Sequence, residues 1–456
     1  MSRSDAARPP CVALLTLGCA KNVVDSEEIA SRLEQAGVTV GHSVGDPDVV
    51  IVNTCGFIDP AKEESIRVIV EAGALKSADG PHALIVTGCL SQRYGQDLAE
   101  LLPEADALIG IDPAAAAEAA LRALGLPAVP AGCIGRLRSR RLTPAAWGYL
   151  RISHGCDNRC AYCAIPLIRG PMRSLPEDEL LAEARYLAED GVRELNVIAQ
   201  DTTAYGTDRE GRPTVHRLLR KLCAIDGLRW VRLLYAHPAH IDEELIAVMA
   251  GEEKVCAYVD MPLQHISDPV LARMGRKVTR EDVEGLITHL RERIPGVTLR
   301  TTFLTGFPGE TDADFEELLQ FVQDARFDRM GCFPYSREED TPAHDMPGQV
   351  PPEVAQERCD VLMTAQQPIA FEWAAGRVGT RVLVLMEDGA PSVDGAPSAD
   401  ALRPARSRAE APDVDPLILV AGDEVPPPGT FVEVDIVGSR DYDCTARTVG
   451  GDRGTP

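Results

Sequence analysis

The sequence has no run of about 18 uncharged apolar residues, so it holds no membrane-spanning helix. Its opening stretch, MSRSDAARPP, lacks the apolar core of an export signal. It reads as a disordered leader, and the chain as cytoplasmic. Positive charge is also scarce: 46 Lys and Arg against 70 Asp and Glu leave a net charge of −24. A chain this acidic has no general attraction for nucleic-acid phosphates. It suits a basic protein partner, or comes from a source whose proteins are acidic throughout. The 13 cysteines are an odd number, spread over 456 residues. Without an export signal they argue for a reducing compartment, with thiols used as ligands or buried as small hydrophobes. One further absence is local. The stretch HGCDNRCAYC places Cys156, Cys160 and Cys163 within eight residues, and no fourth cysteine follows until Cys223.

The length suggests two to four domains, and a hydrophobic content of 45% is enough for real cores. Apolar runs at 11–18, 48–56 and 82–89 read as buried strands, with helical stretches near 23–36, 61–75 and 94–102. A closing helix is expected in AAAAEAALRALG. This alternation points to a parallel sheet over 11–125. Residues 126–144, rich in Pro, Gly and Arg, read as a linker. A second alternation occupies 145–373, with strands at 147–153, 193–199, 229–236, 256–262, 298–305 and 330–335. Helices are expected at 177–190, 214–224, 241–250, 281–293 and 311–325. Six βα units fall short of the eight that close a barrel, so an open (βα)6 array is expected. Residues 375–451 alternate apolar and polar positions, as in a small antiparallel β-barrel. A low-complexity insertion interrupts them at about 389–407, where GAPS occurs twice. The fold class is therefore α/β, ending in a small β-barrel.

The Cys-x3-Cys-x2-Cys motif follows the first strand of the second array, at the strand end where parallel α/β folds place their chemistry. Closed zinc sites want four ligands, and His154 is poorly spaced to share one with Cys156. A [4Fe–4S] cluster held by three thiolates keeps one iron open to a small molecule. Three more cysteines, Cys19, Cys55 and Cys89, each sit at or just past the end of a strand in the first domain. Strands of one parallel sheet end on the same edge, so these three are expected to converge. The bland alternative is that small buried cysteines often end strands.

Cys-x3-Cys-x2-Cys with Tyr162 before the last cysteine resembles the radical S-adenosylmethionine enzymes. There the cofactor chelates the open iron and is cleaved to methionine and a 5′-deoxyadenosyl radical. With the second triad and the C-terminal barrel, the chain resembles the methylthiotransferases over about 11–450: an N-terminal auxiliary-cluster domain, a radical core and a TRAM barrel. The resemblance implies two [4Fe–4S] clusters, one on Cys156, Cys160 and Cys163 and an auxiliary one on Cys19, Cys55 and Cys89. KNVVDSE (21–27), CDNRCAYCAIP (156–166), AQDTTAYG (199–206), PLQHISD (262–268), TGFPGET (305–311), AEAPDVD (409–415) and DYD (441–443) are similar to the branch acting on a ribosomal protein.

That branch implies methylthiolation of the β-carbon of an aspartate in ribosomal protein uS12, free or in the small subunit. Two equivalents of S-adenosylmethionine are consumed, one to methylate a sulfur species at the auxiliary cluster and one to make the radical. A sulfur donor and an electron donor such as flavodoxin or ferredoxin are implied. The runner-up is a methylthiotransferase acting on a tRNA adenosine, which a basic TRAM face would favour; EVDIVGSRDYD is acidic on balance. A non-enzymatic iron–sulfur factor docking on the ribosome is the reading from another class.

Other positions are two-sided. Tyr162 packs on the adenine or is a core aromatic. Gln200 and Asp201 end the second strand of the array and either touch S-adenosylmethionine or do not. TGFPGE lets backbone approach a ligand or is a plain tight turn. Gln264 and His265 face the cavity, or His265 is a hydrogen-bonded core residue. RLRSRR (136–141) binds nucleic acid or forms a solvated run.

Overall fold

A computed structural model describes residues 8–42, 45–76, 80–129, 138–388, 402–422 and 425–449. The chain divides into two compact units. One comprises Met1–Thr143 with His154–Asp157 and Cys163–Met172; the other comprises Pro144–Ser153, Asn158–Tyr162 and Arg173–Pro456. Residues 1–7 of the expected leader fall outside the described residues, and Arg8 pairs with Asp48 at 3.0 Å.

In the first unit the Val- and Ile-rich runs become strands because β-branched side chains fit a sheet covered on both faces. The elements are β1 (Cys11–Thr16), α1 (Ala20–Gln35), β2 (Thr39–Gly41), β3 (Val49–Thr54), α2 (Asp59–Ala74), β4 (Ala83–Gly88), α3 (Cys89–Leu101), β5 (Ala107–Leu108) and α4 (Pro113–Ala123). The five strands lie in the order β2-β1-β3-β4-β5, all parallel. One face of the sheet packs on Ile29, Leu33, Ala116 and Ala120, the other on Ile69, Ala72, Leu90 and Leu98. Register sets the functional edge: Thr16 lies opposite Asn53, Asn53 opposite Thr87, and Thr54 opposite Gly88.

The second unit holds two three-stranded parallel sheets. Trp147–Arg151, Glu194–Ile198 and Trp230–Leu233 form one; Tyr258–Asp260, Thr298–Thr305 and Arg329–Pro334 form the other. The two join where Val231 N donates to Lys254 O at 2.8 Å and Cys256 N donates to Val231 O at 2.9 Å. No ladder links Arg329–Pro334 to Trp147–Arg151, so the six-stranded array is open, as expected. Two of the intervening helices begin at a capping box. Thr279 and Thr311 each form a capping box, with Asp282 and Asp314, at the starts of Arg280–Arg293 and Asp312–Ala325. Glu177–Glu189, Val215–Cys223 and Glu243–Gly251 also fall where periodicity places them.

Five strands close the C-terminal barrel: Arg381–Met386, Arg403–Arg406, Ile418–Ala421, Phe431–Arg440 and Asp443–Thr448. An odd number of strands cannot alternate direction all the way round a ring. One ladder, Ile418–Ala421 on Asp443–Thr448, is accordingly parallel, and the other four are antiparallel.

Three features depart from the sequence reading. The expected insertion at 389–407 ends in a barrel strand, Arg403–Arg406, because a buried ion pair holds Arg406; residues 389–401, with both GAPS copies, fall outside the described residues. A 25-residue helix, Pro352–Gly376, precedes the barrel and carries Pro368 inside it. RLRSRR is not a simple solvated run. Residues 136–137 fall outside the described residues, but Arg138 is buried and its Nε donates to Glu27 at 2.9 Å. Within the linker, Glu27 also accepts from the backbone N–H of Leu142, at 2.9 Å.

The segment 406–415 docks the barrel on the open array. Glu194, wholly buried, accepts from Arg232 Nε at 2.8 Å and pairs with Arg406 Nη2 at 2.8 Å. Trp147 Nε1 and Arg406 Nε both donate to Glu387, at 2.9 and 2.7 Å. The hydroxyls of Tyr149 and Tyr258 donate to Asp413 and Asp415, at 3.0 and 2.6 Å. Glu194, Trp147 and Tyr258 stand first in their strands, so this polar plug leaves the opposite, C-terminal strand ends for chemistry.

Candidate functional site

Cys19 is the N-cap of α1, Cys55 follows the last residue of β3, and Cys89 is the first residue of α3. Adjacent strands in register thus deliver three thiols to one sheet edge. Cys19 makes no side-chain capping hydrogen bond, and its sulfur faces the backbone N–H groups of Lys21 and Asn22 at that helix end. Gly18 makes the close approach feasible: its φ is +90°, and a Cβ there would lie 2.9 Å from Cys55 Cβ. Gly88, at φ +99°, is equally confined, since a Cβ would lie 2.5 Å from Thr54 O.

Buried polar residues hold the edge together. Asn22 Nδ2 donates to Leu17 O at 2.8 Å and Thr54 O at 3.0 Å; Asn53 Nδ2 donates to Asn22 O and to Ser26 Oγ, both at 2.9 Å. Ser65 Oγ accepts from Cys55 N at 3.0 Å and donates to Cys55 O at 2.9 Å. The polar letters of KNVVDSE are therefore interior scaffold.

The thiols sense one another. Burial pushes Cys55 up to about 12; a backbone N–H of Phe57 opposes this, and the neighbouring Cys19 and Cys89 add to the rise. Burial also raises Cys89, against the pull of Arg169. At Cys19 burial is outweighed by Lys21, Arg169 and backbone N–H groups, so that thiol lies below its ordinary value. None of the three is in a disulfide. Among the described residues no three His, Cys, Asp or Glu side chains close on a single metal ion. A four-iron cluster is wider than one ion, and its thiolates stand further apart. The donor set, three soft sulfurs with N–H groups around them, fits such a cluster.

Cys156, Cys160 and Cys163 stay near one another through the short chain that carries them. In the first unit, Cys156 N donates to Gly170 O at 3.2 Å, and Met172 N to Asp157 Oδ1 at 3.1 Å. In the second, Ala161 N donates to Met274 O at 2.8 Å, and the buried Arg276 donates from Nη1 to Cys160 Sγ at 3.6 Å. Arg276 Nε has no partner among the described residues.

Residues 150–322 match the Radical SAM superfamily, residues 11–110 the Uncharacterized protein family UPF0004, and residues 378–449 the TRAM domain. The ribosomal protein uS12 methylthiotransferase RimO of Myxococcus xanthus is 43% identical over 450 residues, 97% of this chain and 92% of that one. Its namesake in Lachnoclostridium phytofermentans is 42% identical over 436 residues, 94% and 98% of the two chains. The chain belongs to the RimO family of radical S-adenosylmethionine methylthiotransferases. A solved structure of the radical S-adenosylmethionine methyltransferase TsrM from Kitasatospora setae, with cobalamin and a [4Fe–4S] cluster bound, shares the fold. Its TM-score is 0.53 at 17% identity, with 74% of each chain covered.

The remaining positions of this RimO-family chain sort by their contacts. Asp201 is buried and holds the cysteine loop: its Oδ2 accepts from Asn158 Nδ2 at 2.7 Å and meets His240 Nδ1 at 2.8 Å. Its Oδ1 accepts from Thr203 N and Oγ1, at 3.0 and 2.6 Å. Burial alone would raise the Asp201 carboxyl; its bonds to His240 and Thr203 reverse that and hold it at about 2. Gln200, beside it, is half-buried.

Tyr162 packs edge-on against Phe307, with ring centroids 6.5 Å apart, in a small core that includes Met274 and Ala343. TGFPGE is a tight turn. Gly306 has φ +75°, a Cβ there would lie 2.2 Å from Ala355 Cβ, and Glu310 accepts from Gly306 N at 2.8 Å and from Arg358 at 2.8 Å. His265 is a core residue whose Nδ1 accepts from Ser267 N at 3.0 Å; burial lowers it to about 3. Gln264 is half-buried at φ +74°.

Sequence reasoning missed Arg169. It ends α5 (Ile165–Arg169), six residues past Cys163. Its Nη2 reaches Asp25 Oδ2 at 2.9 Å, Asn22 Oδ1 at 3.0 Å and Cys89 Sγ at 3.6 Å. The available signal was one Arg closing an otherwise apolar run, AIPLIRG.

Proposed function

We propose that this chain installs a methylthio group on the β-carbon of an aspartate of ribosomal protein uS12, using two [4Fe–4S] clusters and S-adenosylmethionine. Cys19, Cys55 and Cys89 hold the auxiliary cluster, and Cys156, Cys160 and Cys163 hold the radical-generating one. The observation that carries this is the delivery of three thiols by β1, β3 and β4 to one sheet edge in a chain that also bears Cys-x3-Cys-x2-Cys. The uS12 target rests on the names of the relatives, and the net charge of −24 suits a basic protein substrate.

Bound S-adenosylmethionine and the clusters supply one-electron cleavage and hydrogen abstraction, which avoids forming a poorly stabilised carbanion. The protein's own residues orient and shelter. Asp201 fixes Asn158 in the cysteine loop, and Arg276 supports Cys160. Asn22, Asn53 and Ser65 fix the strand ends that carry the other thiols. Tyr162 and Gln200 are assigned to the S-adenosylmethionine site, an electron carrier such as flavodoxin or ferredoxin and a sulfur donor serve the reaction, and the cytoplasm is its place.

The test is anaerobic reconstitution with iron and sulfide, then incubation with S-adenosylmethionine, a strong reductant and recombinant uS12. Mass spectrometry should find one methylthio group on an aspartate peptide, with 5′-deoxyadenosine formed. Deoxyadenosine with an unmodified peptide would contradict free uS12 as substrate and direct the test to small ribosomal subunits and tRNA.

A further inference from the structure

The Arg169 guanidinium lies within hydrogen-bond reach of the auxiliary thiol of Cys89. Its side chain and that of Asp25 are 2% and 6% exposed, so both charges act where water screens little. Nη2 carries two hydrogens and faces three acceptors. The two oxygens, at 2.9 and 3.0 Å, are nearer than Cys89 Sγ at 3.6 Å. The effect on the sulfur is therefore chiefly that of a buried charge beside it.

We propose that Arg169 and Asp25 act as an opposed pair of positioning residues that sets the reduction potential of the auxiliary cluster. The inference rests on the assignment of that cluster to Cys19, Cys55 and Cys89. Adding one electron makes the cluster one unit more negative, with no bond made or broken. A guanidinium beside Cys89 stabilises the reduced form and raises the potential, whereas the Asp25 carboxylate opposes it. Arg169 also belongs to the helix that follows Cys163, so the residue that biases one cluster is carried by the loop of the other.

The experiment uses the full-length chain with Cys156, Cys160 and Cys163 changed to Ala, so that only the auxiliary cluster reports. After reconstitution with iron and sulfide, a dithionite titration followed by electron paramagnetic resonance gives the midpoint potential. Asp25→Asn, which keeps an acceptor for Arg169, is expected to raise it, and Arg169→Gln to lower it. Each change should alter the reduced-to-oxidised ratio at a fixed potential about tenfold, or about 59 mV for one electron. Arg169→Lys, which keeps the charge, should stay near the parent. Shifts of the same sign, or an unmoved potential in Asp25→Asn, would overturn the proposal, and the Asp25→Asn result decides it if Arg169→Gln fails to assemble a cluster. No cluster at all in the triple-alanine parent would instead refute the auxiliary-cluster assignment on which the proposal stands.

Discussion

The two cysteine triads are built in opposite ways. Cys156, Cys160 and Cys163 are close because the chain between them is short. Cys19, Cys55 and Cys89 are 36 and 34 residues apart and meet only through the order and register of β1, β3 and β4. The first arrangement is a local motif that a disturbed fold could still present. The second exists only when the sheet is formed, and its supports, Asn22, Asn53, Ser65 and Gly18, are spread over the same domain.

The largest expected contrast is chemical. Cys156→Ala should abolish 5′-deoxyadenosine, whereas Cys55→Ala should keep it and lose the methylthio product. Chromatography and peptide mass spectrometry read both, and product from Cys55→Ala would break the division of labour. Next in size is a change remote from both triads. Glu194→Ala leaves Arg232 and Arg406 buried without their shared carboxylate, and should cost about 3–5 kcal/mol in denaturant unfolding. An unchanged midpoint would mean that the docked barrel segment does not support the core.

Asp201→Ala sharpens the comparison from the local side. It frees Asn158, and should slow deoxyadenosine formation about tenfold while leaving iron at the other triad in place. Gly18→Ala tests the sheet side. A Cβ 2.9 Å from Cys55 Cβ, on a backbone at φ +90°, should lower bound iron by about half, the share of one four-iron cluster in two. Iron analysis measures it, and full iron content would show that the gap at Gly18 is not needed.

The same contrast explains what the sequence made legible. Strands β1, β3 and β4 were readable because their apolar letters are continuous, and the helices because their periodicity is clear. Six strands and an open array followed from counting units. Hidden were elements whose role is set by a distant partner. Arg403–Arg406 reads as low-complexity sequence until Arg406 is seen against Glu194 and Glu387. Arg138 reads as part of a solvated run until it meets Glu27. Helix Pro352–Gly376 is obscured by its proline and by buried residues spread around it, among them Arg358 and Gln366. At the candidate site, the placing of Cys19, Cys55 and Cys89 at strand ends was legible, but Arg169 and Arg276 were not, because nothing local links Arg169 to Cys89 or Arg276 to Cys160. Asp201 was noticed for its place at a strand end, and its contacts make it a support for the cysteine loop.

We propose that each triad holds its own cluster. The most direct measurement is iron and sulfide per chain, with deoxyadenosine formation, in the parent and in the full-length chain with Cys19, Cys55 and Cys89 all changed to Ala. The expected result is loss of about half the iron and sulfide with S-adenosylmethionine cleavage retained. Unchanged iron, or cleavage lost along with half of it in a chain that remains folded, would contradict two independent clusters.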